Sequence, residues 1–241
     1  NLVEIIFELG LGENIVGASE HTDFPEVAKA IPTTANYLGV QIETLVSLNP
    51  TLVIVWEGGT PLKDINKIKE LGLSVHSFSA NDAQEFVTAI RKLGEVLNQQ
   101  DTANELATSL QQILSNIAKV NQTKPSLTAF IELWPQPLTS ASHGTIMSDA
   151  LEFCGVKNVV DLDSDYPQIN LEWLLIQKFD VIIQPVSKTK PTKLMEWNQY
   201  KMLSAVKNNA ILQPDADVFL RWTPRWVKGL NQLCTQIDKF R

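Results

Sequence analysis

The stretch that decides the fold is Tyr37–Gly59, which reads YLGVQIETLVSLNPTLVIVWEGG. It begins as an aromatic loop, continues as a short amphipathic helix that ends before Pro50, and then becomes a continuous apolar run, Leu52–Trp56. The residue before a proline avoids the helical region, and an unbroken apolar run is typical of a parallel strand covered on both faces. The stretch therefore predicts a helix followed by a buried strand.

The same pattern returns in the second half of the chain without a gap. The two copies read IETLVSLNPTLVI (Ile42–Ile54) and LEWLLIQKFDVII (Leu171–Ile183). Matched positions hold identical or similar residues, namely Tyr37 and Tyr166, Glu43 and Glu172, Leu45 and Leu174, and Val53 and Ile182. We interpret the repeat as two similar lobes that face each other.

Helices and strands alternate around both copies, which predicts a parallel sheet with right-handed crossovers in each lobe. Between the copies this rhythm stops, and apolar residues recur at helical spacing from Leu106 to Ile117. A helix of about 20 residues spans about 30 Å, enough to cross between two lobes. We therefore expect an amino-terminal α/β lobe over 1–98, an interdomain helix over 99–124 and a carboxyl-terminal α/β lobe over 125–241.

The amino end opens directly into a helical pattern, with Leu2, Ile5, Ile6 and Leu9 on one face and Gly10 as its stop. An α/β lobe normally has a strand before its first helix. We therefore expect that a signal peptide and a first strand precede this sequence.

Composition narrows the class of protein. A hydrophobic content of 44% and a charged content of 20% are those of a globular protein. The net charge of −7 argues against a nucleic-acid surface, which needs a basic patch. No apolar run reaches the length of a membrane span.

The two cysteines, Cys154 and Cys234, have no metal-binding spacing, which excludes a structural zinc site. Either both are buried thiols in a reducing compartment, or they are paired in an oxidising one. The residues alone leave both alternatives open.

The sequence contains no complete motif of a known catalytic site. A Ser142-His143 pair could belong to a Ser-His-Asp site, but no Gly-x-Ser-x-Gly elbow is present. Gly58 and Gly59 follow a strand without either phosphate-binding motif, so a simple turn is the better interpretation. An enzyme would need Ser142, His143 and an acid to converge at one site.

Aromatic residues mark the loops after predicted strands, where open α/β sheets bind ligands. They are Trp56, Trp134 and Phe219, with Tyr37 and Tyr166 in matching loops. Each could pack in the core, but together they predict flat walls for a large, planar, partly apolar ligand. Asp217 and Arg221 could add polar anchors, or form only a surface ion pair.

Glu43 and Glu172 each fall in the first turn of a helix, where the helix dipole favours a carboxylate. Their matched positions in the repeat suggest a second function. One acid on each lobe could fit two basic sockets of a two-fold symmetric partner.

At this point the chain resembles a known family, the periplasmic substrate-binding proteins of ABC importers for vitamin B12, haem and ferric siderophores. This helical-backbone class has two Rossmann-like α/β lobes, one long joining helix and a ligand cleft between the lobes. The similarity covers nearly the whole chain. It is carried by Val16–Ser19, Asp23–Pro25, Glu43, Asn49–Ile54, Trp56–Gly59, Leu151–Gly155, Asn158-Val159, Tyr166–Gln168, Glu172 and Gln232–Cys234. The Trp-x-Gly-Gly ending, the Pro-Gln after an aromatic and the two cysteines resemble the vitamin B12 branch.

The resemblance implies that a corrinoid lies flat against aromatics of both lobes, including Trp56. Tyr37 and Tyr166 stand where the family has tryptophans. Leu138 stands near a family phenylalanine, and Trp134 is the candidate to compensate. His21 replaces a tyrosine, so it could ligate cobalt, pack or form a hydrogen bond.

The remaining implications concern partners and compartment. Asp217 and Arg221 match polar ligand contacts, and Glu43 and Glu172 match the acids that dock on permease arginines. Cys154 and Cys234 match a disulfide, which implies the periplasm. The expected protein is a monomer that delivers cobalamin to an inner-membrane ABC permease and its ATPase. It has no catalytic residue, cofactor or metal of its own. Haem or a ferric siderophore is the alternative ligand.

Overall fold

The computed structural model describes residues 1–241, which divide into two compact units. The first unit comprises residues 1–80 and 84–109, and the second comprises residues 81–83 and 110–241. Both contain parallel strands and helices, so the α/β class predicted from the sequence is confirmed. The predicted long helix spans Gln100–Asn121, and the division between the units falls within it.

The first unit is built from short strands and the helices that follow them. Its strands are β1 (Ala18–Ser19), β2 (Thr33–Asn36), β3 (Gly39–Val40), β4 (Val53–Trp56) and β5 (Val75–Phe78). Its helices are α1 (Leu2–Glu8), α2 (Ile42–Ser47), α3 (Leu62–Glu70), most of α4 (Ala83–Val96) and the first half of α5 (Gln100–Asn121), with 3₁₀ turns at Gly12–Asn14 and Glu26–Ala30.

The opening stretch has the predicted order of helix and strand, but β4 is only partly buried, with Val55 as its one buried residue, so the expectation of a strand covered on both faces is wrong. Helix α2 buries Leu45, and Asn49 ends the segment at a positive φ of 47°. Strand β4 then pairs in parallel with β5, from Val53 opposite Val75 to Trp56 opposite Phe78. The second copy of the repeat gives the same order, a helix at Leu171–Leu175 and a strand at Val181–Ile183.

The strands of the first unit form two separate sheets. One has the order β1-β2-β3 and the other contains only β4 and β5. A cavity of about 570 Å³ is lined by β1, by β4 and by the start of α1. The N–H groups of Val53 and Glu57 donate to carbonyls on the β5 segment. Because backbone groups of neighbouring residues in a strand point to opposite sides, those of Ile54 point away from β5 and toward this cavity.

The second unit has one continuous parallel sheet, in the order β11-β10-β6-β9. The strands of the second unit, including β7 and β8 outside this sheet, are β6 (Leu127–Ile131), β7 (Trp134–Pro135), β8 (Leu138–Thr139), β9 (Val156–Asn158), β10 (Val181–Ile183) and β11 (Ile211–Leu212). Its other helices are α6 (Ile146–Phe153), α7 (Leu171–Leu175), α8 (Ser204–Lys207), α9 (Ala216–Phe219) and α10 (Pro224–Ile237), with 3₁₀ turns at Trp197–Gln199 and Asp238–Phe240.

Two features hold the core of the second unit. All three residues of β10 are fully buried, and Phe130 packs edge-on against Trp197, with ring centroids 5.7 Å apart. Cys154 at the end of α6 forms a disulfide with Cys234 of α10. The paired alternative for the cysteines is therefore confirmed.

None of the helices has both the length and the apolar character that crossing a membrane requires.

Candidate functional site

The carboxyl ends of four parallel strands meet along one edge of the sheet in the second unit. Four segments leave this edge, and they place Trp134 in β7 after β6, Tyr166 in the loop after β9, Ser187 in the loop after β10 and Asp217 in helix α9 after β11. Ligands bind at this edge in open α/β sheets. The topology therefore groups the predicted site residues of the second unit on one side of its sheet.

Trp134 is presented by a short hairpin, β7–β8, in which it lies opposite Thr139. Its indole N–H donates to the carbonyl of Gln136 at 3.1 Å, and the side chain remains exposed. The hairpin is anchored on its other side, because Ser140 N–H donates to the Pro167 carbonyl. Trp134 therefore stands on a hairpin that is tied to the segment following Tyr166.

Tyr166 is exposed over about half of its surface. Partial burial raises the pKa of its hydroxyl above the ordinary value, and the nearby Asp165 carboxylate adds to the rise. The hydroxyl therefore stays protonated at neutral pH and can donate a hydrogen bond to a ligand.

Asp217 and Arg221 form an ion pair of 2.9 Å across one turn, and both side chains are largely buried. Ser187 donates its hydroxyl to the second carboxylate oxygen of Asp217 at 3.2 Å. Beside them, Lys188 pairs with Asp215 at 3.0 Å. The pair is thus part of a polar cluster built by the loops after β10 and β11.

Ser187 and Lys188 are members of this cluster that sequence reasoning missed. The signal that could have found them is their place in the loop after the buried strand β10, at the same end as Trp56 in the first copy of the repeat. Only the pairing of β10 with β11 brings them to Asp215 and Asp217.

Phe219, predicted as a ligand contact, is only 6% exposed. It packs beside Gly229 of α10, where a β-carbon would lie 3.3 Å from its ring. Phe219 belongs to helix α9 together with Asp217, and its buried ring packs that helix against α10. Leu138, at the position near a family phenylalanine, is also buried.

In the first unit, three predicted site residues stand at or just after strand ends. His21 follows β1 and is exposed, Tyr37 follows β2 and is almost fully exposed, and Trp56 ends β4 and is half-buried. The Trp56 ring contacts that of Phe78, with centroids 5.5 Å apart. No group of three or more His, Cys, Asp or Glu side chains in residues 1–241 has the arrangement to hold a metal ion.

Glu43 and Glu172 occupy equivalent places in the two units. Each is exposed in the first turn of the helix that precedes a parallel strand. Helix α7 has a side-chain cap, since Asn170 accepts from the Trp173 N–H at 2.9 Å, whereas α2 has none. Both carboxylates face solvent, where a partner with basic side chains could reach them.

Comparison of the sequence with known protein families identifies one that matches this chain. The sequence profile of the periplasmic binding protein family matches residues 1–218, which is most of the chain. This chain belongs to the periplasmic binding protein family.

Two relatives are similar to this periplasmic binding protein over nearly its whole length. The vitamin B12-binding protein of Photorhabdus laumondii is 27% identical over 236 residues, covering 98% of this chain and 84% of the relative. That of Vibrio cholerae is also 27% identical over 236 residues, covering 97% and 85%.

Two solved structures have the same fold. The periplasmic vitamin B12 binding protein of Vibrio cholerae matches with a TM-score of 0.87 and 26% identity over 98% of this chain and 93% of that chain. A periplasmic heme-binding protein in complex with two hemes matches with a TM-score of 0.87 over 99% and 95%, at 19% identity, which supports the fold alone.

The Ser142–His143 pair of this periplasmic binding protein does converge with an acid, but not as a catalytic triad. His143 Nδ1 lies 2.7 Å from Asp161 and 3.4 Å from the Ser142 hydroxyl, so both partners use one ring nitrogen. A triad places the nucleophile and the acid on opposite nitrogens. The Ser142 hydroxyl is also buried and bonded to the N–H and carbonyl of Leu162, both at 2.7 Å. The cluster therefore holds the loop at Asp161 and Leu162 in place, and the Ser142 hydroxyl is not free to act as a nucleophile.

Proposed function

We propose that this protein binds a corrinoid such as vitamin B12 in the periplasm and delivers it to an ABC importer. The observation that carries the proposal is the near full-length similarity to proteins named for vitamin B12 binding. The exposed aromatic residues in the segments that follow strands, Tyr37, Trp134 and Tyr166, support it because a corrin ring is large, planar and partly apolar. The disulfide supports a periplasmic location, since such bonds persist in oxidising compartments.

Binding needs no covalent step. Tyr37, Trp56, Trp134 and Tyr166 stack on the ring system, each worth about 0.5–1.5 kcal/mol beyond the area it buries. The Asp217–Arg221 pair presents donors and acceptors to the amide side chains of the corrinoid, and the hydroxyl of Ser187 holds the Asp217 carboxylate in place. His21 ligates the cobalt of the corrinoid or packs against the ring. Phe219 packs helix α9, which carries Asp217, against α10.

The test is a titration of the purified, ligand-free protein with cyanocobalamin, followed by heat release and tryptophan fluorescence. We expect one corrinoid per chain and a monomeric mass by light scattering before and after binding. A His21→Ala variant reports on cobalt: the visible spectrum of bound aquocobalamin should shift only if the imidazole ligates the metal. Absence of heat and quenching at high micromolar ligand would refute the proposal.

Haem is the second candidate ligand, because His21 and Tyr37 are exposed at strand ends and both residue types ligate haem iron. Hemin is therefore titrated in parallel, with the Soret band as the readout. A sharp Soret band with one hemin per chain, together with no corrinoid binding, would transfer the assignment to haem.

Delivery is assigned to Glu43 and Glu172. Replacing both by alanine should leave corrinoid affinity unchanged and weaken binding to the reconstituted importer of the same organism, because each exposed carboxylate meets a basic side chain there. A matched control replaces Glu95 and Glu105, which are exposed on α4 and α5. Equal loss of importer binding in both pairs would show only a general charge effect, and loss of corrinoid affinity would place the acids in the ligand site.

A further inference from the structure

The turn between β2 and β3 exposes an unusual amount of apolar surface. Tyr37 is 86% exposed and Leu38 is 70% exposed, and Leu62 at the start of α3 is 71% exposed. These are three of the four most exposed large apolar side chains of the protein. Contiguous exposed apolar side chains are typical of binding surfaces.

One carboxylate joins this turn to α3. Asp64 Oδ2 accepts the N–H of Val40 at 3.0 Å, across 24 residues of sequence. The same oxygen lies so close to Gly39 that a β-carbon there would overlap it, and Gly39 has a φ of +127° that other residues rarely adopt. Asp64 lies in the first turn of α3, two residues after Leu62, so the start of α3 is held beside the turn.

The rest of the turn has little to keep it rigid. Strand β3 contains only two residues, with Ala35 opposite Val40 and Asn36 opposite Gly39, and one further bond follows from the Gln41 N–H to the Thr34 carbonyl at 2.8 Å. Within the turn, Asn36 Oδ1 accepts the N–H of Leu38 at 2.9 Å. Such short pairing is weak by itself. The Asp64 contact is the long-range bond that fixes the turn to a longer element.

Rigidity matters for a binding surface, because side chains ordered before binding do not lose that freedom when the ligand arrives. We propose that Asp64 is a positioning residue that preorganises Tyr37, Leu38 and Leu62 as one apolar platform for the planar ligand. The identity of the ligand rests on the proposed function, whereas the Asp64 contact does not.

The test compares Asp64→Ala with Glu70→Ala, using cyanocobalamin as the probe. Glu70 lies on the same helix and makes only an exposed ion pair with Lys67, so it controls for the lost charge. Asp64→Ala should weaken affinity about tenfold, as expected for a lost hydrogen bond to a carboxylate. Most of this loss should appear as slower association, because fewer molecules hold the competent turn. Asp64→Asn keeps an oxygen acceptor and should restore most of the affinity.

Gly39→Ala perturbs the same contact from the other side. If both changes act through one contact, the Gly39→Ala/Asp64→Ala double variant should bind more tightly than the product of the two single effects implies. Equal affinities of Asp64→Ala and Glu70→Ala, or strictly additive effects of the two changes, would overturn the proposal.

Amide hydrogen exchange separates this proposal from the choice of ligand. In the ligand-free protein, residues 37–40 should exchange faster in Asp64→Ala than in Glu70→Ala or the unmodified protein. If the unmodified protein binds no corrinoid, the proposed function fails, while exchange still reports on the Asp64 contact. Unchanged exchange overturns the contact, and faster exchange with unchanged affinity overturns its role in binding.

Discussion

The buried carboxyl group of Glu132 organises the region behind the Trp134 hairpin. It is almost fully buried and accepts three hydrogen bonds, from the Met195 N–H at 2.7 Å, Gln184 Nε2 at 2.8 Å and Trp197 Nε1 at 2.6 Å. Two of the donors belong to residues 195–197, which lie more than 60 positions away in sequence. A single carboxyl group thus ties this segment to the end of β6.

Replacing Glu132 by glutamine should destabilise the protein by about 2–4 kcal/mol, because an amide N–H₂ then faces a buried donor. The measurement is the free energy of unfolding in urea. Glu95→Gln is the matched control, since Glu95 is exposed on α4 and its change should stay within about 0.5 kcal/mol. Equal values for the two variants would show that the three bonds contribute nothing net.

Asp149, in the first turn of α6, gives the protein a pH-dependent stability. Burial raises its pKa to about 6, against the lowering effect of a hydrogen bond from the Ala83 N–H, and Glu152 and Asp82 add to the rise. The folded protein therefore holds this proton more tightly than the unfolded chain. Stability from this group is present at low pH and is lost as the pH rises from about 4 through about 6.

Asp149→Asn should remove that loss while keeping an oxygen for the Ala83 N–H. We expect the variant to gain about 1–2 kcal/mol over the unmodified protein between pH 4.5 and 7.5, less than the full shift implies because the group is partly exposed. Urea unfolding at four pH values measures the difference, in which other titrating groups such as Asp238 cancel. Parallel pH profiles for the two proteins would contradict the assignment.

At the scale of elements, helices α4 and α5 are in close contact at Gly94. A β-carbon there would overlap the side chain of Ala103 and lie 3.1 Å from the carbonyl of Gln99. Glycine weakens a helix interior by about 1 kcal/mol relative to alanine. The close contact of the two helices explains why the smaller residue stands at this buried position.

Gly94→Ala should therefore destabilise the protein by about 1–3 kcal/mol in spite of its better helix propensity, because the added methyl group overpacks the crossing. The midpoint of thermal unfolding should fall by about 2–4 °C per kcal/mol. Ala103→Gly in the same chain makes room and should recover part of the loss. If the two substitutions were simply additive, the crossing would not be the cause.

Sequence periodicity predicted the elements that depend on local pattern. The helix and strand of Tyr37–Gly59, their second copy and the helix Gln100–Asn121 are all present. Each is set by residues a few positions apart. The division of the first unit into two sheets was not predicted, because strand pairing across tens of residues leaves no local signal.

The candidate site shows the same division between local and long-range information. Trp56 and Trp134 could be predicted at strand ends, because a strand end is a local feature. The Asp64–Val40 bond and the link from Ser187 to Asp217 could not, since each joins residues 24 or 30 positions apart. The burial of Phe219 could not be predicted for a related reason, since burial depends on which residues pack against a side chain.

At the scale of the whole molecule, the repeat is more regular in its helices than in its loops. Glu43 and Glu172 keep equivalent places, while Pro185 and Val186 stand where the first copy has Trp56 and Glu57. The strands also differ, because β10 is fully buried whereas Val55 is the one buried residue of β4. A two-fold symmetric partner and an asymmetric ligand would impose this combination, with similar docking acids and different ligand contacts.

The disulfide is the covalent constraint on the second unit, and removing it should be felt throughout that unit. Cys154 and Cys234 are both buried, and their bond closes a loop with a sequence separation of 80. Replacing both by alanine should lower the free energy of unfolding by about 2–4 kcal/mol, since the unfolded chain regains the freedom that the bond removes. Urea unfolding measures the loss, and amide exchange should quicken within residues 154–234. The unmodified protein treated with dithiothreitol is the control and should match the variant. Equal stability with and without the bond would show that packing of α6 against α10 suffices to hold this unit together.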